Sequence, residues 1–463
     1  MVIVLPKDCC ESIKVLADAA DAWRMEQKFK KALKKIEKAL KIVPNFYIAW
    51  VMRGAIYGAM AVLEKGEKRE KYLEEALRSL EKASSIKPKE YWPWFIRGKT
   101  FYETGAYHEA LKAFDKALEL VGEVDPAEII LWQAKARFMI GDVEGCVRDV
   151  ARMLKPIGFQ WLLEKIRTKA IDAGVNVDKV LGLCAKALAE WLLAEGEDAL
   201  KTVTEAMEMF DCLEIMVIKG LALSMARKYD EAIKIFQEVL AEDPRNVIAL
   251  YGMGFTYRRL GKPKVALSYL EKALDIEPEN PFFNDFRCDL VKKVTGDKKI
   301  AEECYRRFVE KCVARGEKNR FCAMSCLSLA MLLKNLGRYE EAEKYYKLAI
   351  ELAPYPDSDI FFSYADLLEE RLGRKDEALK YYCLAVKYAT EAETFSSCGS
   401  VFEKTYGLYK EALMCIFKAF EAPPSNFMAS NFMRHIDKEF LKKLIKVLRK
   451  RGEDCCDVVE MII

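Results

Sequence analysis

The chain has 463 residues, 52% of them apolar, with 75 basic and 72 acidic side chains and a net charge of +3. That balance supplies no global pull toward nucleic acid or an anionic membrane. The stretch IAWVMRGAIYGAMAVLEK carries Arg53 near its middle, and no run reaches the ~20 uninterrupted apolar residues of a membrane span. The start, MVIVLPKDCC, has four apolar residues before Pro6 and no basic lead, so it does not read as a secretory signal, and the expected localisation is cytoplasmic. Asn and Gln number 9 and 4 beside abundant Lys and Glu, a composition resembling that of thermophile proteins.

A small residue recurs along the chain with the spacing of a helical hairpin. It falls at Ala32, Ala76, Ala110, Cys146, Ala199, Ala232, Ala266, Ala301, Ala342, Ala378 and Ala412. Around it other residue types repeat at fixed offsets: Gly98, Ala110, Phe114; Gly220, Ala232, Phe236; Gly254, Ala266, Leu270. Pro244 and Pro278 close the last two of these copies, and Gly105, Gly261, Gly337, Gly373 and Gly407 sit five residues before the small residue. Each type has a reason. A small residue lets two helix backbones approach, the large one fills the gap beside it, and proline cannot continue a helix. Glycine suits a backbone leaving a helix in the left-handed region.

This pattern resembles the tetratricopeptide repeat, with its Trp, Leu-Gly, aromatic, A-x3-F and closing Pro over about 34 residues. Trp50 and Trp94 fill the tryptophan position, and Gly54, Gly98, Gly220 and Gly254 the glycine. The resemblance implies an all-α, right-handed superhelical solenoid of about eleven antiparallel hairpins. Such hairpins cannot bury their apolar faces alone and therefore stack on neighbours.

Two intervals break the spacing. Ala32 and Ala76 are 44 residues apart, and the charged, helical EKGEKREKYLEEA (64–76) accounts for a longer hairpin there. Cys146 and Ala199 are 53 apart, which leaves room for one additional helix, PIGFQWLLEKIRT (156–168), then a turn at 174–176. A polar stretch, KCVARGEKNR, covers 311–320, and the pattern stops at Pro423 and Pro424. The expected organisation is N-terminal hairpins over 11–154 and an irregular helix and linker over 155–176. Middle hairpins follow over 177–310, C-terminal hairpins over 321–425, and capping helices over 426–463.

Catalytic chemistry finds little support. His108 and His435 are the only histidines, too few for a histidine-based relay or a multi-histidine metal site. No phosphate loop, nucleophile elbow or dinucleotide fingerprint is present, so no enzyme, cofactor or metal is expected. The 15 cysteines lack C-x2-C pairs, and Cys288, Cys304, Cys312, Cys322 and Cys326 cluster. Small buried hydrophobes are the first reading of that cluster. Disulfides are the second, and a metal or redox regulator the third. Two basic runs, Lys28 to Lys41 and Arg434 to Arg451, read first as solvated end helices and second as anion-binding surfaces.

The resemblance places partner binding on the first helix of each hairpin. Offsets of three and four residues put Trp92, Phe95, Lys99 and Tyr102 on one stripe, and Ile248, Tyr251, Phe255 and Arg258, with Arg259 beside it, on another. Aromatics interleaved with cations suit a peptide groove; the alternative is that Trp92 and Tyr251 pack between hairpins. Val51, Ala55, Phe95, Lys99, Tyr251 and Phe255 stand where some family members clamp a terminal carboxylate with Lys and Asn, so that clamp is absent. The expected function is a non-enzymatic protein–protein interaction scaffold taking a peptide or protein segment in its groove. A nucleic-acid-associated factor is the second class, and no membrane partner is expected.

Overall fold

The computed structural model describes residues 29–316 and 318–389 together with positions 15, 397–398 and 401–402. Among them are twenty α-helices, one short 3-10 turn and no strand. Expectations for Lys28, Gly407, Ala412, Pro423, Pro424, His435 and the C-terminal basic helix lie outside the described residues.

Two compact units form: the described parts of 1–124 with 379–463, and 125–378. In the first, α1 (Phe29–Ile42) carries Ala32, and two hairpins follow: α2 (Tyr47–Leu63) with α3 (Glu67–Ile86), and α4 (Trp92–Thr104) with α5 (Tyr107–Leu120). The ten extra residues lengthen one hairpin as expected, since α2 and α3 run 17 and 20 residues against 13 and 14 in α4 and α5. The second unit holds the hairpins α6 (Ala127–Met139) with α7 (Val143–Leu154), α9 (Val177–Leu192) with α10 (Gly196–Met209), and α11 (Leu213–Met225) with α12 (Tyr229–Glu242). It continues with α13 (Val247–Arg259) and α14 (Pro263–Ile276), α15 (Pro281–Thr295) and α16 (Lys298–Arg315), and α17 (Arg320–Asn335) and α18 (Tyr339–Leu352). A single helix, α8 (Trp161–Asp172), stands between α7 and α9, and α19 (Ser358–Glu370) and α20 (Lys375–Tyr388) follow in chain order. The chain is an all-α helical-repeat solenoid.

The small-residue register holds. All ten positions from Ala32 to Ala378, Cys146 and Ala301 included, are fully buried. Phe236 shows why glycine faces it: a Cβ built on Gly220 would lie 2.5 Å from its ring, and one on Gly252 of the next hairpin 2.3 Å. One aromatic ring thus fills the space between two first helices and needs hydrogen on both sides.

The turn glycines Gly105, Gly261, Gly337 and Gly373 take φ from 68° to 89°. In two hairpins the same turn is made without glycine, by Ala194 (φ 60°) and Arg227 (φ 64°). Left-handed backbone at a residue bearing Cβ costs roughly 1–2 kcal/mol. Asparagine, scarce in this chain, sits where it helps most: Asn176, Asn246, Asn280 and Asn319 cap the starts of α9, α13, α15 and α17. Each side-chain oxygen accepts a backbone N–H that the first helical turn leaves unpaired.

The cysteine cluster is resolved differently from the first reading. Cys288 and Cys304 form a disulfide within the hairpin of α15 and α16, and Cys312 and Cys322 form another from α16 to α17. The second spans the polar stretch, whose irregular part is short because α16 runs on to Arg315. Cys326 is a buried thiol, pushed up to about 12 by burial. Among the described residues no group of three or more His, Cys, Asp or Glu is arranged to hold a metal ion.

Candidate binding groove

In the second unit α6, α9, α11 and α13 lie side by side, as do α15 and α17, so the first helices form a row. Ser224 on α11 and Thr256 on α13 join hydroxyl to hydroxyl inside that row. Residues 155–172, within the 155–176 stretch read from sequence as an irregular helix and linker, run along it.

That course follows from the residues. Gly158 turns with φ 83°, and a Cβ there would meet Asn280 Nδ2 at 2.7 Å, so only glycine fits. The same Nδ2 donates to the Ile157 carbonyl at 3.2 Å, tying the turn to the start of α15. Phe159 then enters an aromatic box, its ring 5.7 Å from Tyr251 on α13 and 6.2 Å from Phe283 on α15. Beyond it α8 packs on α9 and α11 through Leu162, Leu163, Ile166 and Ala170, the apolar side of an amphipathic helix. Polar contacts hold its other sides. Arg167 donates to both carboxylate oxygens of Glu144 on α7, at 2.7 and 3.0 Å. Lys169 Nζ lies 2.7 Å from Glu214 on α11. Burial, the largest single influence, would raise the Glu214 carboxyl, but the Lys169 bond and charge, a backbone N–H and Cys212 together hold the group below its ordinary range.

This segment decides the fate of one stripe. Tyr251 is only 4% exposed, enclosed by Phe159, Phe282, Phe283 and Phe286, and it holds hairpins together rather than facing a partner. Phe255 stays half-buried, while Arg258 and Arg259 are exposed. Arg258 sits 5.2 Å from the Phe286 ring and 3.3 Å from Asp289. Arg259 lies 5.6 Å from the Phe255 ring, and its Nε donates to the Tyr229 hydroxyl.

On α4 the outcome is parallel. Phe95 is buried and packs on Phe114 at 6.0 Å, so it too is a core residue. Trp92, Lys99 and Tyr102 are half-buried; the Trp92 ring is 5.3 Å from Phe95, and Lys99 Nζ is 5.5 Å from it. The structure therefore keeps six of the eight expected residues at or near the surface and withdraws Phe95 and Tyr251.

One feature escaped the sequence reading. A cavity of about 940 Å³ opens in the second unit beside the 155–158 turn. Leu131, Met153, Leu192 and Phe321 give it an apolar floor, and Arg152, Lys155 and Lys318 stand exposed around it. These residues come from turns and helix ends far apart in the chain, so no spacing marks them.

The row of first helices, the buried small residue and the left-handed turn define a repeat protein of side-by-side helical hairpins. Comparison with known proteins agrees. Tetratricopeptide repeat profiles match residues 223–281, and 93–120 with 324–356. The crystal structure of yeast Tom70 is similar with a TM-score of 0.50 at 13% identity, covering 94% of this chain and 96% of that one, a likeness of fold. The chain is a tetratricopeptide repeat protein. Outer envelope protein 61 of Arabidopsis thaliana is 40% identical over 67 residues, 14% of this chain and 12% of that protein. The probable UDP-N-acetylglucosamine–peptide N-acetylglucosaminyltransferase SPINDLY of Hordeum vulgare is 26% identical over 130 residues, 28% of this chain. The chain covers only 14% of that enzyme's length. Among the described residues no helix is long and apolar enough to cross a membrane.

Proposed function

We propose that this protein is a non-enzymatic scaffold that binds a segment of a partner protein along its first helices. The repeats themselves support an interaction role; the groove and its residues are our reading. The observation that carries it is that the row in the second unit already accommodates a polypeptide, 155–172, which enters as a turn, inserts an aromatic and continues as a helix. A surface shaped to take such a segment in cis is shaped to take one in trans where it is open. The residues expected to meet it are Trp92, Lys99 and Tyr102 on α4, and Phe255, Arg258 and Arg259 on α13.

The test replaces each trio with alanine and measures capture of partners from native lysate alongside the melting temperature. Aromatic and Arg anchors cost about 2 kcal/mol or more each on truncation. Loss of capture with unchanged melting supports the reading, and undiminished capture by both variants rejects it. The cytoplasm is the compartment we infer. Disulfides persist inside cells chiefly in hyperthermophiles, which agrees with the low Asn and Gln content.

A second reading has one observation behind it. Lys30, Lys31, Lys34, Lys38 and Lys41 are exposed on α1, a cationic face suited to nucleic acid. Binding through it would weaken steeply with salt, and binding that is insensitive to salt would exclude it.

A further inference from the structure

We infer that the cavity beside the 155–158 turn is a second binding site, for an acidic peptide carrying an apolar anchor. This goes beyond the groove reading, because its walls are turns and helix ends rather than the aromatic stripes. Its volume of about 940 Å³ lies within the roughly 300–1,000 Å³ of ligand sites. Each part of the lining selects for one part of the guest.

The floor of Leu131, Met153, Leu192 and Phe321 offers apolar contact, with Phe321 half-buried and its ring 4.9 Å from Phe282. An aliphatic or aromatic side chain gains by entering there, because its apolar surface leaves water.

The charges around the floor are unequal. Among the described residues, five basic side chains line the cavity against three acidic ones. Two of the five are engaged by acids: Arg315 pairs with Glu279, which also takes Lys311, and Arg320 lies 3.8 Å from Asp125. Arg152, Lys155 and Lys318 make no ion pair among the described residues, and all three are exposed. The third acid, Glu277, accepts from Asn280 Nδ2 at 2.9 Å and forms no ion pair with these three among the described residues.

The backbone strengthens the case. Pro126, Pro156, Pro278, Pro281 and Pro354 all line the cavity, and none has an N–H. The N–H groups at the start of α15 and α17 are already taken by Asn280 and Asn319. An anionic guest is therefore met by the three side-chain cations. A peptide satisfies both demands together: carboxylates for the cations and an apolar side chain for the floor.

The experiment is selection from a peptide library on the full chain, then anisotropy of the labelled lead. The expected lead combines Asp or Glu with Leu, Phe or another large apolar residue. Charge reversal by Arg152→Glu, Lys155→Glu and Lys318→Glu together should weaken it at least about tenfold, as loss of charge complementarity does at interfaces. Circular dichroism and melting temperature check the fold, and Lys318→Glu alone serves if the triple variant melts early. Alanine at Phe255, Arg258 and Arg259 should leave this binding intact. Leads that are neutral or basic, or equal affinity for the charge-reversed chain, would overturn the inference. So would an oligothymidylate that displaces the peptide at the same site, since that marks a general polyanion surface. Loss in the Phe255, Arg258 and Arg259 variant, with none on charge reversal, would place the peptide on the first helices. That outcome overturns the cavity site and leaves the groove reading standing.

Discussion

The first-helix surface of α4 and that of α9 to α15 carry the same kind of stripe, yet they differ in what lies on them. Along α9 to α15 the chain's own residues 155–172 cover the row, and Tyr251 is only 4% exposed beneath them. On α4 no described segment does so, and Trp92, Lys99 and Tyr102 keep part of their surface. On the reading proposed above, a tetratricopeptide face can take a partner only where the chain leaves it uncovered. The stripe's residue types cannot reveal that; the cover comes from elsewhere in the sequence.

The largest effects should come from opening the covered region. Phe159→Ala removes a ring from a box of four others, and about 3–5 kcal/mol of stability should go with it, read by chemical denaturation. Trp92→Ala on the α4 stripe should cost clearly less, because that ring is only half-buried. If the two substitutions cost the same, the contrast between the regions fails.

Next in size is disulfide loss. Cys288 and Cys304 are 16 residues apart, and a loop near that length is held back by about 3 kcal/mol in the unfolded chain. Reduction should lower the melting temperature, and the Cys288→Ser, Cys304→Ser variant should melt alike with or without reductant once Cys312 and Cys322 are also replaced. A smaller cost, about 1–3 kcal/mol for overpacking, is expected of Gly252→Ala against the Phe236 ring.

How much of this could be read from the chain itself divides along the same line. Local rules were legible: the small-residue register held at all ten described positions, and the turn glycines took the left-handed backbone. The turns at Ala194 and Arg227 were not, because neither residue type signals positive φ. For α8, the spacing of Leu162, Ile166 and Ala170 announces one buried face but not which surface receives it. Tyr251 and Phe95 were placed on partner-facing stripes because helical offsets fix a direction and say nothing of Phe159 or Phe114 arriving from other elements. Likewise the disulfides join cysteines on different helices, where only hairpin geometry brings the sulfurs together.

pH provides a further contrast. Burial raises the Asp285 carboxyl to about 6 despite the Ser325 hydroxyl donating to it at 2.5 Å. The folded state thus favours the protonated form. This group's contribution to stability is full below its unfolded value of about 4 and falls as pH rises through about 6. Moving from about pH 7 to about pH 5 should stabilise the wild type relative to Asp285→Asn, as measured by paired denaturation curves. The smallest effect is expected at the turns. Arg227→Gly should stabilise by about 1 kcal/mol through relief of the left-handed backbone, whereas glycine at exposed helical positions should destabilise.

The most direct measurement is a double-mutant cycle between Phe159 and Tyr251. If residues 155–172 lie along the first helices, Phe159→Ala and Tyr251→Ala remove one shared contact. Their combined cost should then fall short of the sum of the singles by about 0.5–3 kcal/mol. Additive costs would mean that the two rings do not touch and that the row beneath is open.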